Sequence, residues 1–327
     1  MSLEIHFLNV GHGDCTMIKF PSGRVMMIDI NNSKSLPDED IDALAEEMNL
    51  SRFQFKTLYK SAGRTWEQYY ESMLVDPVDY FNENFSGESV FRYVQSHPDM
   101  DHMNGLSNFF WSHKIPVMNF WDTAHNRTFE KGDFDNSRFQ YIDWLAYKIM
   151  QSGVGPDDDT GEPSIRVFKN YRGDSRKYWD EDNIEVLSPT ESLIDACNAA
   201  GLYNNCSYVL KVSHAGRSVI LPGDAEAASW KGILENVDDE SLRCDVLKAA
   251  HHGRSSGFHR ESVEVMKPTA VICSVGKKPS TDASSEYSKL GASVFSTRYH
   301  GTLKLTIWDD GDLWICNSRH ERILTLD

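Results

Sequence analysis

The stretch that decides the fold is His97-Pro98-Asp99-Met100-Asp101-His102, which follows the strand-like segment 91–96. Four of its six residues carry an imidazole or a carboxylate, the groups that bind Zn²⁺, Mn²⁺ or Fe²⁺. On a turn, His97 and Asp99 can face one ion while Asp101 and His102 face its neighbour. Two ions roughly 3.5–4 Å apart can clamp one substrate oxygen between them. The stretch therefore predicts half of a two-metal site, although a plain polar turn has the same residue types.

Two later segments strengthen this prediction because each ends a strand-like run. The segment 218–224 ends in Gly223-Asp224, which places a carboxylate at a sheet edge where it could bridge two ions. The segment 245–253 delivers His251 and His252 together before a glycine. Because neighbouring residues of a strand point to opposite faces, both imidazoles do not fit easily into a core. One is expected to be a ligand, and the other a substrate contact or proton donor.

Strand-like segments occur in both halves of the chain, with helical stretches between some of them. Residues 3–9 and a hairpin across Pro21-Ser22-Gly23 open the chain, and strands near 117–123 and 184–189 follow. Segments 33–90 and 125–182 differ in composition and are interpreted as helical insertions. The remaining pattern favours two sheets with helices outside, within a single domain covering 1–327.

Composition limits the classes of function. The chain has 327 residues, with 49 acidic and 33 basic side chains and a net charge of −16. Such a surface repels polyanions on average, so charge alone does not predict tight non-specific DNA binding. The six cysteines are scattered, which disfavours a zinc ribbon or a disulfide framework and favours reduced, buried thiols.

The sequence also bears on location and partners. The first residues lack the basic and apolar regions of a signal peptide, and no run of about 18 apolar residues predicts a membrane span. We therefore expect a cytoplasmic protein without membrane contact. Aromatic residues concentrate in and near the insertions, where they could stack bases but more often pack an insertion onto its core. A protein partner could bind through the insertions, and the sequence does not indicate the oligomeric state.

Taken together, these motifs resemble the metallo-β-lactamase superfamily, in particular the C-terminal hydrolase domain of the ComEC/Rec2 competence proteins and their stand-alone relatives. The segment 7–14, FLNVGHGD, resembles the opening FLDVGQGD of that group, and 96–102 resembles its S-H-P-D-x-D-H motif. Further similarities lie along the chain up to about residue 308: Asp29, Asn205-Cys206-Ser207, Gly223-Asp224, His251-His252-Gly253, and Ser296-Thr297 with Gly301-Thr302.

The resemblance implies a four-layer αββα sandwich with helical insertions, and two divalent metal ions, Zn or Mn. It implies a structural role for Asp29. The metal ligands expected from the motifs are His97, Asp99, Asp101, His102, Asp224 and His251. Asp101 and His252 are the expected catalytic residues, Asp101 by orienting a metal-bound hydroxide and His252 as an acid or phosphate contact.

Two departures from the family pattern affect the site. The wider superfamily has a histidine at about the position of Asn205, so one metal position here has fewer strong ligands. Asn205 could fill in as a weaker contact. The usual serine after His-His-Gly is Arg254, whose guanidinium suits an anionic substrate, and Lys248 is a second candidate phosphate contact.

The favoured interpretation is a phosphodiesterase or nuclease that acts on a nucleic acid or nucleotide through metal-bound hydroxide. DNA is implied by the competence resemblance, but the net charge of −16 argues against transferring that role unchanged. A lactam, lactone or thioester hydrolase of the same fold is the alternative enzyme. A non-catalytic partner protein with a degenerate metal site is the alternative from another class.

Overall fold

A computed structural model of the chain describes residues 1–33, 35–61, 63–156 and 161–327. Its strands, in chain order, are β1 (Ser2–Phe7), β2 (Thr16–Lys19), β3 (Val25–Ile28), β4 (Tyr59–Ser61), β5 (Arg64–Thr65), β6 (Val90–Val94), β7 (Val117–Trp121), β8 (Arg166–Phe168), β9 (Ile184–Ser188), β10 (Val209–His214), β11 (Arg217–Leu221), β12 (Val246–Lys248), β13 (Ala270–Cys273), β14 (Ser293–Ser296), β15 (Leu303–Trp308), β16 (Leu313–Cys316) and β17 (Arg322–Leu326).

The helices are distributed between the strands. They are α1 (Asp38–Glu47), α2 (Arg52–Thr57), α3 (Trp66–Glu71), α4 (Pro77–Asn84), α5 (Tyr141–Gln151), α6 (Lys177–Glu181), α7 (Glu191–Ala200), α8 (Ala227–Leu234), α9 (Asp239–Leu242), α10 (Arg260–Met266), α11 (Ser284–Lys289) and α12 (Thr297–His300). Short 3₁₀ turns and one π-helical turn, Ser107–Ser112, complete the helical structure of the described residues.

Two mixed sheets form the centre of the molecule. The first has the order β17-β16-β15-β1-β2-β3-β6-β7-β8, and the second has the order β14-β13-β12-β11-β10-β9. In the first sheet β3, β6, β7 and β8 run parallel to one another, and in the second β11 to β14 do so. Parallel neighbours place their carboxyl ends at one edge, and both halves of the site begin at such ends.

The sheets pack face to face through one apolar layer. Alternate residues of β1, such as Ile5 and Phe7, meet alternate residues of β10 and β12, such as Leu210 and Val246, and all are buried. This period of two explains why the remaining residues of each strand face outward. The inner layer is therefore a sheet-on-sheet core.

Helices cover the outer face of each sheet. On the first sheet, Met17, Met27 and Tyr93 pack with Phe109 and with Trp144 of α5. The second sheet has its own outer cluster, in which Ile220 and Leu247 pack with Trp230 of α8, Val263 of α10 and Tyr287 of α11. The result is the four-layer αββα sandwich expected from the sequence.

The segment 33–90 contains α1 to α4 and the β4–β5 hairpin, and it has a small apolar cluster around Leu44 and Phe55. It is tied to the loop after β1, because the side chain of Asn9 donates to the carbonyl of Met73 and Val75 N donates to the carbonyl of Asn9. Its status, and that of 125–182, as insertions within one domain stays a prediction.

Several elements differ from the sequence-based expectation. The helix expected after the 97–102 stretch is the π-helical turn Ser107–Ser112, and β8, α7 and β17 were not predicted. Part of the surface loop predicted at 153–163 lies outside the described residues. All six cysteines are unpaired, and all except the half-buried Cys316 are buried. Within the described residues, no helix has the length and apolar character needed to cross a bilayer.

Candidate metal centre

Five loops that follow strands meet at one edge of the sandwich. They come from β1, β3 and β6 of the first sheet and from β11 and β12 of the second. The loops carry the buried side chains Asp14, Asp29, His97, His102, Asp224 and His252. Residues that are more than a hundred positions apart in sequence thus lie together, as the strand-end motifs predicted.

Asp29, directly after β3, organises the first half of the site. Its backbone has φ of 57°, a left-handed conformation that aspartate tolerates better than most residues. Oδ1 accepts a hydrogen bond from Ser96 N at 2.7 Å, and Oδ2 accepts one from Ser96 Oγ at 2.6 Å. Oδ2 also lies 2.7 Å from Nδ1 of His102. A carboxylate at Nδ1 places the imidazole proton there, which leaves Nε2 free to bind a cation.

One group of ligand atoms lies around Asp101, His102 and His252. Nε2 of His102 is 3.3 Å from Oδ1 of Asp224, and Nε2 of His252 is 3.4 Å from Oδ2 of Asp101 and 3.6 Å from Oδ2 of Asp224. Ligand atoms bound to one ion at about 2.1 Å lie roughly 3.4 Å apart in tetrahedral geometry. We call the group formed by Asp101, His102, Asp224 and His252 the second position.

A further group of ligand atoms lies on the other side of Asp224. Nε2 of His97 is 3.6 Å from Oδ2 of Asp99 and 3.8 Å from Oδ2 of Asp224. Nε2 of His251 is 3.7 Å from the same Asp224 oxygen. We call this group the first position. Asp224 contacts both groups, and the bridging role predicted for it stays a prediction that this position allows.

Buried polar atoms without partners show that these donors fit a metal. Nε2 of His97, His102 and His252 and Oδ1 of Asp224 are buried and have no hydrogen-bond partner in the described part of the chain. Leaving such an atom unpaired costs about 1–3 kcal/mol. Ligand atoms of Asp14, His102, Asp224 and His252 lie within 4.8 Å of one another, so one divalent cation could satisfy the last three together. Nε2 of His97 lies 3.8 Å from the other oxygen of Asp224, where a second cation would give it a partner. The donor types therefore fit a metal centre around Asp224.

The charges of the donors are set mainly by burial and by each other. Burial, together with the nearby His102, lowers the pKa of His97 to about 4, so its imidazole is neutral near pH 7. Burial raises the pKa of Asp224, but the adjacent His102 and His252 outweigh burial and hold it well below its ordinary value. Neutral imidazole and ionised carboxylate are the forms that bind metals.

The second position is supported from behind by Asp14 and Lys248. Lys248 Nζ donates to Asp14 Oδ2 at 2.6 Å, and both side chains are buried. Burial lowers the pKa of Lys248, but the carboxylates of Asp14 and Asp224 outweigh burial and raise it, so Lys248 stays charged. Asp14 Oδ2 also lies 3.8 Å from Nδ1 of both His102 and His252. The ion pair therefore fixes a negative charge beside two imidazoles.

Guanidinium groups lie on both flanks of the site. Arg254 donates through Nη2 to Nε2 of His12 at 3.1 Å, and Arg138 Nη2 donates to the carbonyl of His12 at 3.3 Å. On the other flank Arg127 pairs with Asp99, with its guanidinium 4.6 Å from the ring centroid of Phe129 and 5.3 Å from that of Tyr203. Burial, with the charge of His252, lowers the pKa of His12 to about 3, so His12 adds no charge of its own near pH 7.

The structure brings the predicted ligands together but places two predicted substrate contacts elsewhere. Lys248 is buried against Asp14, as described above. The Asn205 side-chain oxygen accepts hydrogen bonds from N and Oγ of Ser229, at 3.1 and 3.2 Å, so it holds the start of α8. Arg254 is half-buried beside His12 and next to the second position. The roles predicted for all three stay predictions.

The two adjacent histidines do not alternate across a strand as expected. β12 ends at Lys248, and both His251 and His252 have left-handed backbone angles, with φ of 49° and 57°. Both imidazoles therefore turn toward Asp224. His252, which is buried, lies in the second position, and His251, which is half-buried, lies in the first.

Sequence reasoning missed Asp14, His12, Glu226 and Arg127 as parts of the site. The GHGD motif signals the first two, because Gly13 has φ of 145° and a Cβ there would lie 2.5 Å from the carbonyl oxygen of Asp101. Only a glycine lets this loop lie against the ligand loop. No sequence signal marks Glu226 or Arg127, which reach the site from the start of α8 and from the segment after β7.

The layers and the site together decide the fold class. Two sheets with helices outside carry the candidate ligands at one edge, in the chain order His/Asp cluster, Gly-Asp, His-His-Gly. The chain has a metallo-β-lactamase fold.

No protein-family profile matches the chain. ComE operon protein 3 of Bacillus subtilis (strain 168) is 31% identical over 116 residues, which is 36% of this chain and 14% of that protein. The match thus spans a small part of the curated relative.

Solved structures with similar architecture are distant in sequence. Igni18, described as a novel metallo hydrolase from the hyperthermophilic archaeon Ignicoccus hospitalis KIN4/I, is 12% identical with a TM-score of 0.43, over 99% of each chain. YhfI from Bacillus subtilis, described as a metallo-beta-lactamase fold protein, is 8% identical with a TM-score of 0.44, over 96% of this chain and 100% of YhfI.

Proposed function

We propose that the protein is a metal-dependent hydrolase that cleaves phosphodiester bonds in a nucleic acid or nucleotide. The hydrolase class rests on the buried, unpaired Nε2 atoms of His97, His102 and His252 and on the unpaired Oδ1 of Asp224. It also rests on the group Asp14, His102, Asp224 and His252, whose ligand atoms all lie within 4.8 Å of one another. The phosphodiester class rests on one observation, the guanidinium groups of Arg254 and Arg127 on the two flanks of these residues.

The two guanidinium groups are informative because the chain as a whole is acidic. With a net charge of −16, most of the surface repels an anionic substrate. Arginine carries five N–H donors in a planar fork that matches phosphate oxygens. Arg254 uses one contact on His12, and its Nε has no partner in the described residues. Two guanidinium groups beside the ligand cluster therefore fit an anionic substrate better than a neutral lactam or thioester.

A basic pocket continues from Arg127. It has a volume of about 490 Å³, and Lys148 and Lys169 line it together with Arg127. Its buried carboxyl, Asp122, accepts hydrogen bonds from Tyr147 and Gln151 at 2.5 and 2.8 Å. The exposed cations of the pocket suit the next phosphate of a polynucleotide, which supports a nucleic acid over a small ester.

Each group of residues has its own part in the proposed reaction. A bound metal pair supplies Lewis-acid stabilisation and lowers the pKa of water toward about 7. Asp101, Asp224, His102 and His252 would hold the second ion, and His97, Asp99 and Asp224 would hold the first. The Asp101 side chain is 22% exposed, so it can also orient a water for attack. Arg254 and Arg127 would balance the phosphate charge and orient the scissile bond.

Substrate assays on purified, Mn²⁺- or Zn²⁺-loaded protein test the proposal. The probes are single-stranded DNA, a generic phosphodiester and a generic lactam, each with a chelated control. We expect metal-dependent cleavage of the first two and an inert lactam. Turnover of the lactam alone would contradict the substrate class. A folded protein that retains much less than one ion per chain would support a non-catalytic partner protein instead.

A further inference from the structure

We propose that His251 completes the first metal position in place of the histidine that this chain lacks at Asn205, and that Glu226 positions it. The inference rests on the proposed function, because it assigns a ligand to the same centre. It explains how a chain with Asn205 can still hold two ions.

The side chain of Asn205 is held by hydrogen bonds from Ser229. Its side-chain oxygen accepts from Ser229 N and Ser229 Oγ, and its backbone carbonyl accepts from Ser229 Oγ at 3.1 Å. The residue is buried. Turning its amide toward Asp224 would leave the backbone N–H of Ser229 without that acceptor inside the fold, which costs about 1–3 kcal/mol. Asn205 therefore anchors α8 and does not supply a ligand.

His251 has the position and orientation of a ligand. Nε2 of His251 and Nε2 of His97 approach the same oxygen of Asp224, at 3.7 and 3.8 Å. The backbone fixes this orientation, since His251 N donates to the carbonyl of Gly223 at 3.2 Å and φ is 49°. A Cβ on Gly257 would lie 2.9 Å from Cβ of His251, so a glycine at 257 leaves room for this turn. With Asp99, the first position then has two imidazoles and two carboxylates.

Glu226 sets which nitrogen of His251 faces the site. Its Oε1 lies 3.1 Å from Nδ1 of His251, and Ser256 Oγ lies 2.7 Å from the same nitrogen. A carboxylate at Nδ1 favours the proton there and leaves Nε2 as the free electron pair, which is the usual support for a metal-bound histidine. Asn204 donates to Glu226 Oε1 at 3.3 Å. Asn204 thus supports His251 through Glu226.

Metal stoichiometry and spectroscopy of matched variants test this assignment. The variants are His251→Ala, Glu226→Gln and, as a control, His113→Ala, which changes an exposed histidine away from the site. Each is loaded with Co²⁺ or Mn²⁺, desalted, and analysed for ions per chain and for the visible d–d absorption of the cobalt form. We expect two ions per chain in the wild type and the control, and one ion in His251→Ala with loss of part of the absorption.

Glu226→Gln keeps the volume of the side chain and tests the positioning role. We expect the larger of the two metal dissociation constants to rise about 10- to 100-fold, and the smaller one to stay unchanged. If His251→Ala keeps two ions with an unaltered spectrum, the assignment is wrong while the proposed function stands. If the folded wild type binds one ion or fewer, no first position is filled and the assignment is also wrong. Failure of the proposed function alone appears as two bound ions without phosphodiester cleavage.

Discussion

Oδ2 of Asp29 lies 2.7 Å from Nδ1 of His102, and the same oxygen accepts the hydroxyl proton of Ser96 at 2.6 Å. One carboxylate thus connects the end of β3 to the ligand loop after β6. It fixes the direction in which His102 presents Nε2 to Asp224. The first aspartate of the sequence pattern holds two neighbouring residues in place, as a structural residue would, and one of them is the candidate ligand His102.

The Asp29→Asn variant tests this connection. If the oxygen of the introduced amide kept the Ser96 N–H, its nitrogen would face His102 Nδ1 and favour the proton on Nε2, where it blocks metal binding. We expect metal affinity to fall about 10- to 100-fold with the fold retained. Metal titration together with circular dichroism measures both. Unchanged affinity would show that Asp29 does not control the tautomer of His102.

Replacing Gly223 by Ala tests the packing between the two halves of the site. Gly223 has φ of 54°, and a Cβ there would lie 2.9 Å from Cβ of Ser96. Because Ser96 holds Asp29, we expect a loss of about 1–3 kcal/mol in the free energy of unfolding and roughly tenfold weaker metal binding, by analogy with overpacking. The control is Gly216→Ala, which has φ of 82° and no atom within 4 Å of an added Cβ. Equal metal affinities in both variants would contradict the coupling.

Acidification is expected to release the metal over an unusually high pH range. Burial lowers the pKa of His102, but Asp224 and Asp29 outweigh it and raise the pKa well above 6.5 in the metal-free protein. Burial also lowers the pKa of His252, but Asp224 and Asp14 outweigh burial and raise it. A metal must displace these protons, so apparent affinity should keep rising with pH above 6.5. Isothermal titration in buffers of different ionisation enthalpy measures the protons released, and a plateau in affinity by pH 6.5 would contradict this expectation.

Asp122 gives a pH effect on stability outside the metal site. Burial raises its pKa from 3.8 to about 6, against hydrogen bonds from Tyr147 and Gln151 that lower it. A raised acid pKa stabilises the fold below pH 3.8, and this contribution is lost as pH rises through about 6. A pKa change of this size corresponds to roughly 3 kcal/mol. Urea unfolding of the metal-free protein, compared with Asp122→Asn, should show the wild type losing about that much relative to the variant between pH 4 and 7. Parallel pH profiles would exclude this role for Asp122.

Removal of Asp101 tests catalysis directly. Asp101→Asn preserves the volume of the side chain but removes its negative charge next to His252. We expect phosphodiester turnover to fall at least about 100-fold, because the variant loses a carboxylate that would both bind the metal and orient the attacking water. Metal content measured beside turnover shows whether the ion is retained. The matched control is Asp309→Asn, which changes an exposed carboxylate directly after the end of β15 and should retain full turnover. Full activity in Asp101→Asn would remove Asp101 from the reaction.

The four layers were predicted from the resemblance of the motifs to a known fold, because the strand pattern alone favours two sheets with helices outside without fixing their order. Most candidate ligands could be named because they lie in short local motifs. Strand patterns with period two mark both sheets, and His97 to His102 lie within one loop. The orientation of His251 and His252 could not be predicted from the sequence, because it depends on left-handed backbone angles after β12. The contacts of Lys248 with Asp14 and of Arg127 with Asp99 join residues 234 and 28 positions apart. These contacts form because the fold brings the residues together, and no pattern in the sequence around them indicates the pairing.

In the proposed centre, Asp224 bridges two cations at the edge shared by the two sheets. The most direct measurement is an anomalous difference map from crystals of the Mn²⁺-loaded protein, recorded with wild type and Asp224→Asn. We predict two peaks within coordination distance of the Asp224 carboxylate, one beside His97 and one beside His102 and His252, and fewer peaks in the variant. A map of the folded wild type with one peak or none at Asp224 would contradict a bridging role for this carboxylate.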